Sequence, residues 1–253
     1  MNDVKICCNH VFKGFSQDNG KRLPVLEDIS LTVNNNEFLV ILGPGQCGKS
    51  TLLRMIAGLS MPDSGEITLD GKIIEGPGAD RGMVFQSYML FDWKTVRENV
   101  ELGPKFRGMP EQQRHEISDH NIEMVGLKGF EDYYPYQLSG GMKQRVSIAR
   151  AFANSPEVLL MDEPFGQLDA QTRMFMQQET ARIWMEEKRT CLFVTSNVDE
   201  ALYLGDRIIL MEGKLPGRIK KELKVDFARP RDLTSVEFLE VRQRIVDEME
   251  LVL

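Results

Sequence analysis

The sequence predicts an α/β fold built from a parallel core, an antiparallel β section and an inserted helical subdomain. Three observations carry this reading. Short runs at Glu37–Leu42, Val158–Met161, Cys191–Thr195 and Ile208–Met211 have the composition of buried parallel strands. The first part of the chain alternates apolar and polar residues instead. From about Ser87 to Ser155 only helical patterns occur.

Taken in chain order, Val4, Ile6 and Cys8 alternate, as do Ile29, Leu31 and Val33, so one face of each strand turns to a core. Residues 67–74 read as a hairpin around Asp70-Gly71, a pair that accepts the positive φ angles of a two-residue turn. The strand Glu37–Leu42 ends at Gly43, and a helix with Leu52, Leu53 and Ile56 follows and stops at Gly58. Inside the helical section, a run from Gly141 places Val146, Ala149 and Ala153 on one face. The tail opens with Ala228-Arg229-Pro230-Arg231. It then shows a capping-box pattern at Thr234 and Glu237 before an amphipathic helix carrying Phe238, Val241, Ile245 and Met249. The expected organisation is one domain over 1–253. Residues 1–86 and 156–225 form the core with its β-subdomain, 87–155 the helical subdomain and 226–253 a helical tail.

Composition narrows the function classes. At 42% hydrophobic and 27% charged residues the chain has a globular balance, which argues against disorder and fibrous repeats. Its apolar runs fall far short of the ~20 residues that span a bilayer. The N-terminal Met-Asn-Asp-Val-Lys-Ile-Cys-Cys has no secretory pattern, so a cytoplasmic location is expected. Cys7, Cys8, Cys47 and Cys191 show no metal-ligand spacing and are expected to be reduced thiols. With 31 basic and 38 acidic side chains the net charge is -7, the wrong sign for a duplex-DNA partner, so no nucleic acid is expected.

Two motifs carry chemistry. Gly43-Pro44-Gly45-Gln46-Cys47-Gly48-Lys49-Ser50 fits the phosphate-loop pattern G-x-x-x-x-G-K-[ST], between the strand and the helix that the pattern requires. Its glycines let backbone N–H groups turn towards phosphates. Lys49 offers a cation to the β- and γ-phosphates, Ser50 a hydroxyl to Mg²⁺, and the helix its positive dipole end. The second motif is the apolar strand Val158-Leu159-Leu160-Met161 ending in Asp162 and Glu163. There Asp162 is placed to hold Mg²⁺ and Glu163 to polarise an attacking water. Between them, Leu138-Ser139-Gly140-Gly141-Met142-Lys143-Gln144-Arg145 opens a helix with a serine and two glycines, a second anion-binding helix start or a plain N-cap.

In this order the motifs resemble the ATP-binding-cassette (ABC) ATPases over nearly the whole chain. The resemblance implies an ABC-type P-loop nucleotide-binding domain with a RecA-like core, an antiparallel β-subdomain and an inserted helical subdomain. It implies ATP and Mg²⁺ as cofactors, with residues Gly43 to Thr51, counting Thr51, around the phosphates. Ser139, Gly140 and Gly141 would close over a partner's nucleotide, so a homodimer or a heterodimer with another ABC ATPase follows. By the same match Phe15 stacks on adenine, Gln86 reaches Mg²⁺ beside Ser50 and Asp162, and Asp169 lies in the dimer-spanning loop. For Phe15 simple packing remains the alternative.

Asp80-Arg81-Gly82-Met83-Val84-Phe85-Gln86, Pro216-Gly217-Arg218 and Ala228-Arg229-Pro230-Arg231-Asp232 look like the nitrate/sulfonate/taurine importer group. That group implies integral membrane permease subunits above the cassette, an external solute-binding protein acting indirectly, and a peripheral position on the inner membrane face. Met89-Leu90-Phe91-Asp92-Trp93 matches the segment that receives the permease, with buried core as the alternative for Trp93. One position departs from the pattern. Where importers carry a histidine against the γ-phosphate, this chain reads Val194-Thr195-Ser196-Asn197, and Asn197 with Glu200 makes a plausible cap for the next helix. Ser196 therefore counts as a catalytic position whose short hydroxyl replaces an imidazole. A low-turnover regulatory subunit, or a non-transport ABC protein, stands as the alternative function.

Overall fold

In the computed structural model, residues 3–18 and 20–250 are described. In chain order they form β1 (Val4–Ser16), β2 (Arg22–Asn34), β3 (Phe38–Leu42), α1 (Lys49–Ile56), β4 (Ser64–Leu69), β5 (Lys72–Ile73) and β6 (Arg81–Val84). Helices α2 (Val96–Val100), α3 (Leu102–Phe106), α4 (Glu111–Met124) and α5 (Gly140–Ala153) follow, then β7 (Val158–Asp162) and α6 (Ala170–Glu187). The chain closes with β8 (Thr190–Thr195), α7 (Val198–Leu204), β9 (Arg207–Met211), β10 (Ile219–Lys224) and α8 (Val236–Glu250). Two compact units result, one from residues 1–78 with 188–253 and the other from 79–187.

The first unit holds the antiparallel section and most of the core. β1 pairs with β2 and β4, and β4 with β5, giving the order β2-β1-β4-β5. The turn between β4 and β5 has Asp70 at φ 49° and Gly71 at φ 74°, the two positive angles of the expected hairpin turn. Lys5 Nζ donates to Asp70 Oδ2 at 2.7 Å and ties that turn to β1. In the parallel part, β3 lies between β8 and β9, and all five of its side chains are buried. Each such Val, Leu or Ile contributes about 1.5–3 kcal/mol of burial. This is why the strand tolerates no polar face. The edge strand β10, which the apolar pattern does not reveal, pairs antiparallel with β9 and has no fully buried residue, only half-buried and exposed ones.

The tail packs differently at its start from the expected capping box. Thr234 Oγ1 donates to Asp232 Oδ1 at 2.7 Å, and Ser235 Oγ instead accepts the Phe238 amide at 3.3 Å. The shift by one residue follows from the loop before it. Arg231, almost fully buried, donates to the carbonyls of Leu202 and Gly205 at 2.6 Å and Tyr203 at 3.1 Å, closing the C-terminal end of α7. Arg229 bridges Asp206 and the Leu204 carbonyl beside it. Phe238 and Ile245 of α8 are buried, as the amphipathic pattern requires.

In the second unit, β6 and β7 pair in parallel with Val84 opposite Met161. Helix α5 packs on β6, and α2, α3 and α4 pack on α5. The buried face of α5 includes Val146, Ala149 and Ala153, as its spacing predicts. Helix α2 starts with a reciprocal cap in which Thr95 accepts from the Glu98 amide and Glu98 from the Thr95 amide. Among the described residues no helix is long and apolar enough to cross a membrane. All four cysteines are free thiols, and burial with its neighbour Cys7 pushes the Cys8 thiol up to about 12.

Candidate active site

The phosphate loop leaves β3 where that strand lies in register with its neighbours, Leu42 opposite Thr195 and opposite Leu210. Gly43 and Ser196 are thus the first residues beyond the carboxyl ends of adjacent parallel strands, the usual place for ligands in such sheets. Local sequence then shapes the loop. Gln46 at φ 67° and Gly48 at φ 94° are left-handed, which turns successive N–H groups to one side. Gly48 is the N-cap of α1 and brings no side-chain cap, so the first amides of the helix are left for an anion. A Cβ on Gly45 would meet nothing within 4 Å, whereas one on Gly48 would lie 2.5 Å from Leu26 Cδ2. The loop is open on one side and packed on the other.

Lys49 is only 4% exposed, and its Nζ donates to the carbonyls of Gly43 at 2.8 Å and Pro44 at 2.7 Å. Its ammonium is therefore held over the loop rather than in solvent. Pro44 is half-buried, Cys47 is buried, and Ser50 and Thr51 are half-buried at the start of α1. This combination fits a polyphosphate: uncapped amides, a positioned cation and an open glycine.

The loop has a floor that motif reading misses. Gly217 donates its N–H to Val25 O at 2.9 Å and accepts from the Glu27 amide at 3.0 Å. A Cβ there would lie 1.9 Å from the Cys47 carbonyl oxygen. The Pro216-Gly217 pair marks a turn in the sequence, yet nothing local says what it lies against.

Two further expected residues lie in this unit. Phe15 is 47% exposed, and Lys13 Nζ stands 5.5 Å from its ring centroid. Ser196 is exposed, and Asn197 caps α7 by accepting from the amides of Asp199 at 2.8 Å and Glu200 at 3.1 Å. The buried Glu200 carboxylate takes the Thr195 hydroxyl at 2.6 Å. The cap expected at Asn197 therefore forms, and the chain turns there without needing the imidazole.

The second unit gathers the others. Since Val84 pairs with Met161, Gln86 and Glu163 each stand two residues past that register, beyond the ends of neighbouring strands. Asp162 is buried at the end of β7. Glu163 follows at φ 43°, a left-handed angle that costs a non-glycine residue about 1–2 kcal/mol and swings its side chain out of the strand's alternation. Ser139 caps α5, its Oγ accepting from the Met142 amide at 3.3 Å, so the serine-glycine segment begins a 14-residue helix as expected. Asp169 is exposed ahead of α6. Its carboxylate is held below the usual range chiefly by the Thr172 amide, which donates to Oδ1 at 3.0 Å.

After Gln86 the chain exposes Met89 at 57% and Trp93 at 71%, and Phe91 packs edge-on against Trp93 with centroids 5.2 Å apart. Buried core is thus rejected for Trp93. Among the described residues no three His, Cys, Asp or Glu side chains cluster as a metal cage. A magnesium ion here would depend on hydroxyl, carboxylate and phosphate oxygens, the donor set this ion favours.

Residues 26–166 match the ABC transporter family. An uncharacterized ABC transporter ATP-binding protein of Methanocaldococcus jannaschii is 55% identical over 244 residues, 96% of this chain and 91% of that protein. The taurine import ATP-binding protein of Roseobacter denitrificans is 47% identical over 87% of this chain and 82% of its own length. Among solved structures, a dimeric ABC cassette in a post-hydrolysis state bound to ADP and Pi superposes with a TM-score of 0.80 at 31% identity, over 88% of this chain and all of that one. Motif order, fold and relatives agree, and the chain belongs to the ABC transporter family, of which it is an ATPase cassette.

Proposed function

We propose that this chain hydrolyses MgATP as a dimeric cassette beneath membrane permease subunits and so drives import of a small anionic solute of the taurine, sulfonate or nitrate kind. The observation that carries the ATP reading is the loop 43–51, with its uncapped helix start at Gly48 and its buried, positioned Lys49. The import reading draws on relatives named for taurine and aliphatic sulfonate import. Exposed Met89, Phe91 and Trp93 are the apolar surface offered to the permease.

Each residue then has a task in this reading. The loop amides and Lys49 bind the phosphates, and Phe15 offers an exposed ring to adenine. Ser50, Gln86 and Asp162 are the magnesium-facing groups, the ion neutralising phosphate charge when bound. Glu163 orients water and takes its proton. Ser139, Gly140 and Gly141 face the partner cassette's nucleotide and Asp169 the dimer contact, in a homodimer or with a second ABC ATPase. Its place is the inner face of the membrane, where an external solute-binding protein acts on it only through the permease.

Lys49→Ala should lose tight MgATP binding by calorimetry, whereas Glu163→Gln should keep binding and lose hydrolysis. Parental turnover in Glu163→Gln would sink the reading. A second reading, a low-turnover regulatory cassette, is favoured by Ser196, whose short hydroxyl stands where importers carry an imidazole.

A further inference from the structure

The chain after β6 is held by its carbonyl oxygens. Gln144 Nε2 donates to Phe85 O and Gln167 Nε2 to Gln86 O, both at 3.3 Å. Arg150 reaches the Tyr88 and Met89 carbonyls at 3.4 and 2.8 Å. Gln144 and Arg150 belong to α5, the helix that Ser139-Gly140-Gly141 opens. Gln167 belongs to the turn after β7, between Glu163 and Asp169, whose backbone closes through Gly166 N to Glu163 O at 3.2 Å and Leu168 N to Phe165 O at 3.1 Å.

Both ends of the Gln167 amide are engaged. Its Oε1 accepts the Tyr88 hydroxyl while its Nε2 holds the Gln86 carbonyl. The same hydroxyl lies 2.6 Å from where a Cβ on Gly140 would stand. One tyrosine and one glutamine thus touch three segments: the loop bearing Gln86, the start of the serine-glycine helix, and the turn that carries Glu163 and Asp169. An exposed glutamine with one hydrogen bond keeps its rotamer freedom. With donor and acceptor ends both used on different segments, its amide has one orientation left.

We infer that Gln167 is a positioning residue for ATP hydrolysis: with Tyr88 it clamps the Gln86 backbone to the Glu163 turn, so the two keep one geometry. The role rests on the ATPase reading above and adds to it a residue that touches no reacting atom. Because the bridge lies outside the phosphate loop and holds the Gln86 backbone carbonyl rather than its side chain, its loss acts chiefly on turnover and little on nucleotide affinity.

The test measures ATPase kcat and MgATP Kd on the full chain for Gln167→Ala, Tyr88→Phe and the double variant, with Glu163→Gln beside them. Each single change should lower kcat on the order of ten-fold with Kd within about two-fold. The double variant should be no slower than the slower single, since both remove the same bridge. Gln167→Glu, which keeps an acceptor for Tyr88 but loses the donor to Gln86 O, should fall with Gln167→Ala. Parental kcat in both singles beside an inactive Glu163→Gln would overturn the clamp and leave the ATPase reading standing. Losses that multiply in the double variant, or a Kd that rises in step with the fall in kcat, would overturn it as well. Parental turnover in Glu163→Gln would overturn the ATPase reading itself.

Discussion

Adding one methyl group at Gly217 should disable the phosphate loop from beneath. The Gly217 backbone is not left-handed, so alanine meets no φ penalty and any effect comes from contact alone. Its Cβ would stand 1.9 Å from the Cys47 carbonyl oxygen and 3.1 Å from Met211 Cε, while real Cβ atoms essentially never come within 3.0 Å. Relief takes a shift of about 1 Å or more. The Gly217 segment resists it through hydrogen bonds at 2.9 and 3.0 Å to Val25 and Glu27. Met211 Cε is the far end of a flexible side chain and yields readily; the carbonyl does not.

The movement is therefore shared with Cys47, whose carbonyl carbon is bonded to the nitrogen of Gly48, the N-cap of α1 and the residue before Lys49. A misplacement of about 1 Å in a positioning element costs about a hundred-fold. With the strain divided between the two segments, MgATP Kd should rise about ten- to hundred-fold. Overpacking should also lower folding stability by about 1–3 kcal/mol. Isothermal calorimetry gives the first quantity and denaturant unfolding the second. A Kd within two-fold of the parent's, with the unfolding midpoint unchanged, would refute the reasoning, because it would mean that the loop and its floor are not in contact.

Two other perturbations test separate parts of the chain. Ser196→His should raise turnover of the purified protein several-fold with little change in ATP affinity, since a γ-phosphate contact matters most in the transition state; equal steady-state rates for the two enzymes would show that the histidine adds nothing at this position. Arg231→Ala removes the cation that serves three carbonyls at the end of α7 and should cost about 3 kcal/mol by chemical denaturation. Burial moves the Arg231 guanidinium down to about 10, and Arg229 adds to that shift. A folded value below the unfolded one means that folding favours the neutral form. The desolvation cost of the charge is then constant at neutral pH and shrinks only above pH 10, so the loss in Arg231→Ala should not vary between pH 6 and 8.

Much of the architecture was legible in local pattern because burial imposes a period. The five buried positions of β3, the positive φ angles at Asp70-Gly71 and the buried face of α5 each follow from residue type and spacing alone. The phosphate loop was legible for a different reason. Its chemistry needs consecutive residues, so a continuous motif records it in full. β10 was not legible, because an edge strand of mostly charged residues with none fully buried carries no apolar signature. The capping box at Thr234 failed because Asp232 competes for the same hydroxyl, a choice settled by the fold of the Arg231 loop.

What the sequence determined by itself was the family, the strand-loop-helix of the phosphate site, and the identity of Lys49, Asp162, Glu163 and Ser139 as the groups to examine. Tertiary structure alone decided that Phe15 and Trp93 are exposed and that Gly217 lies under Cys47. It alone decided that Gln167 reaches across to Gln86 and Tyr88. The division has a physical cause. Backbone conformation and burial period are set by neighbours in sequence, within a few residues. Contacts between residues 79 or 81 positions apart, like those of Gln167, exist only once distant strands have paired and brought their loops to the same edge.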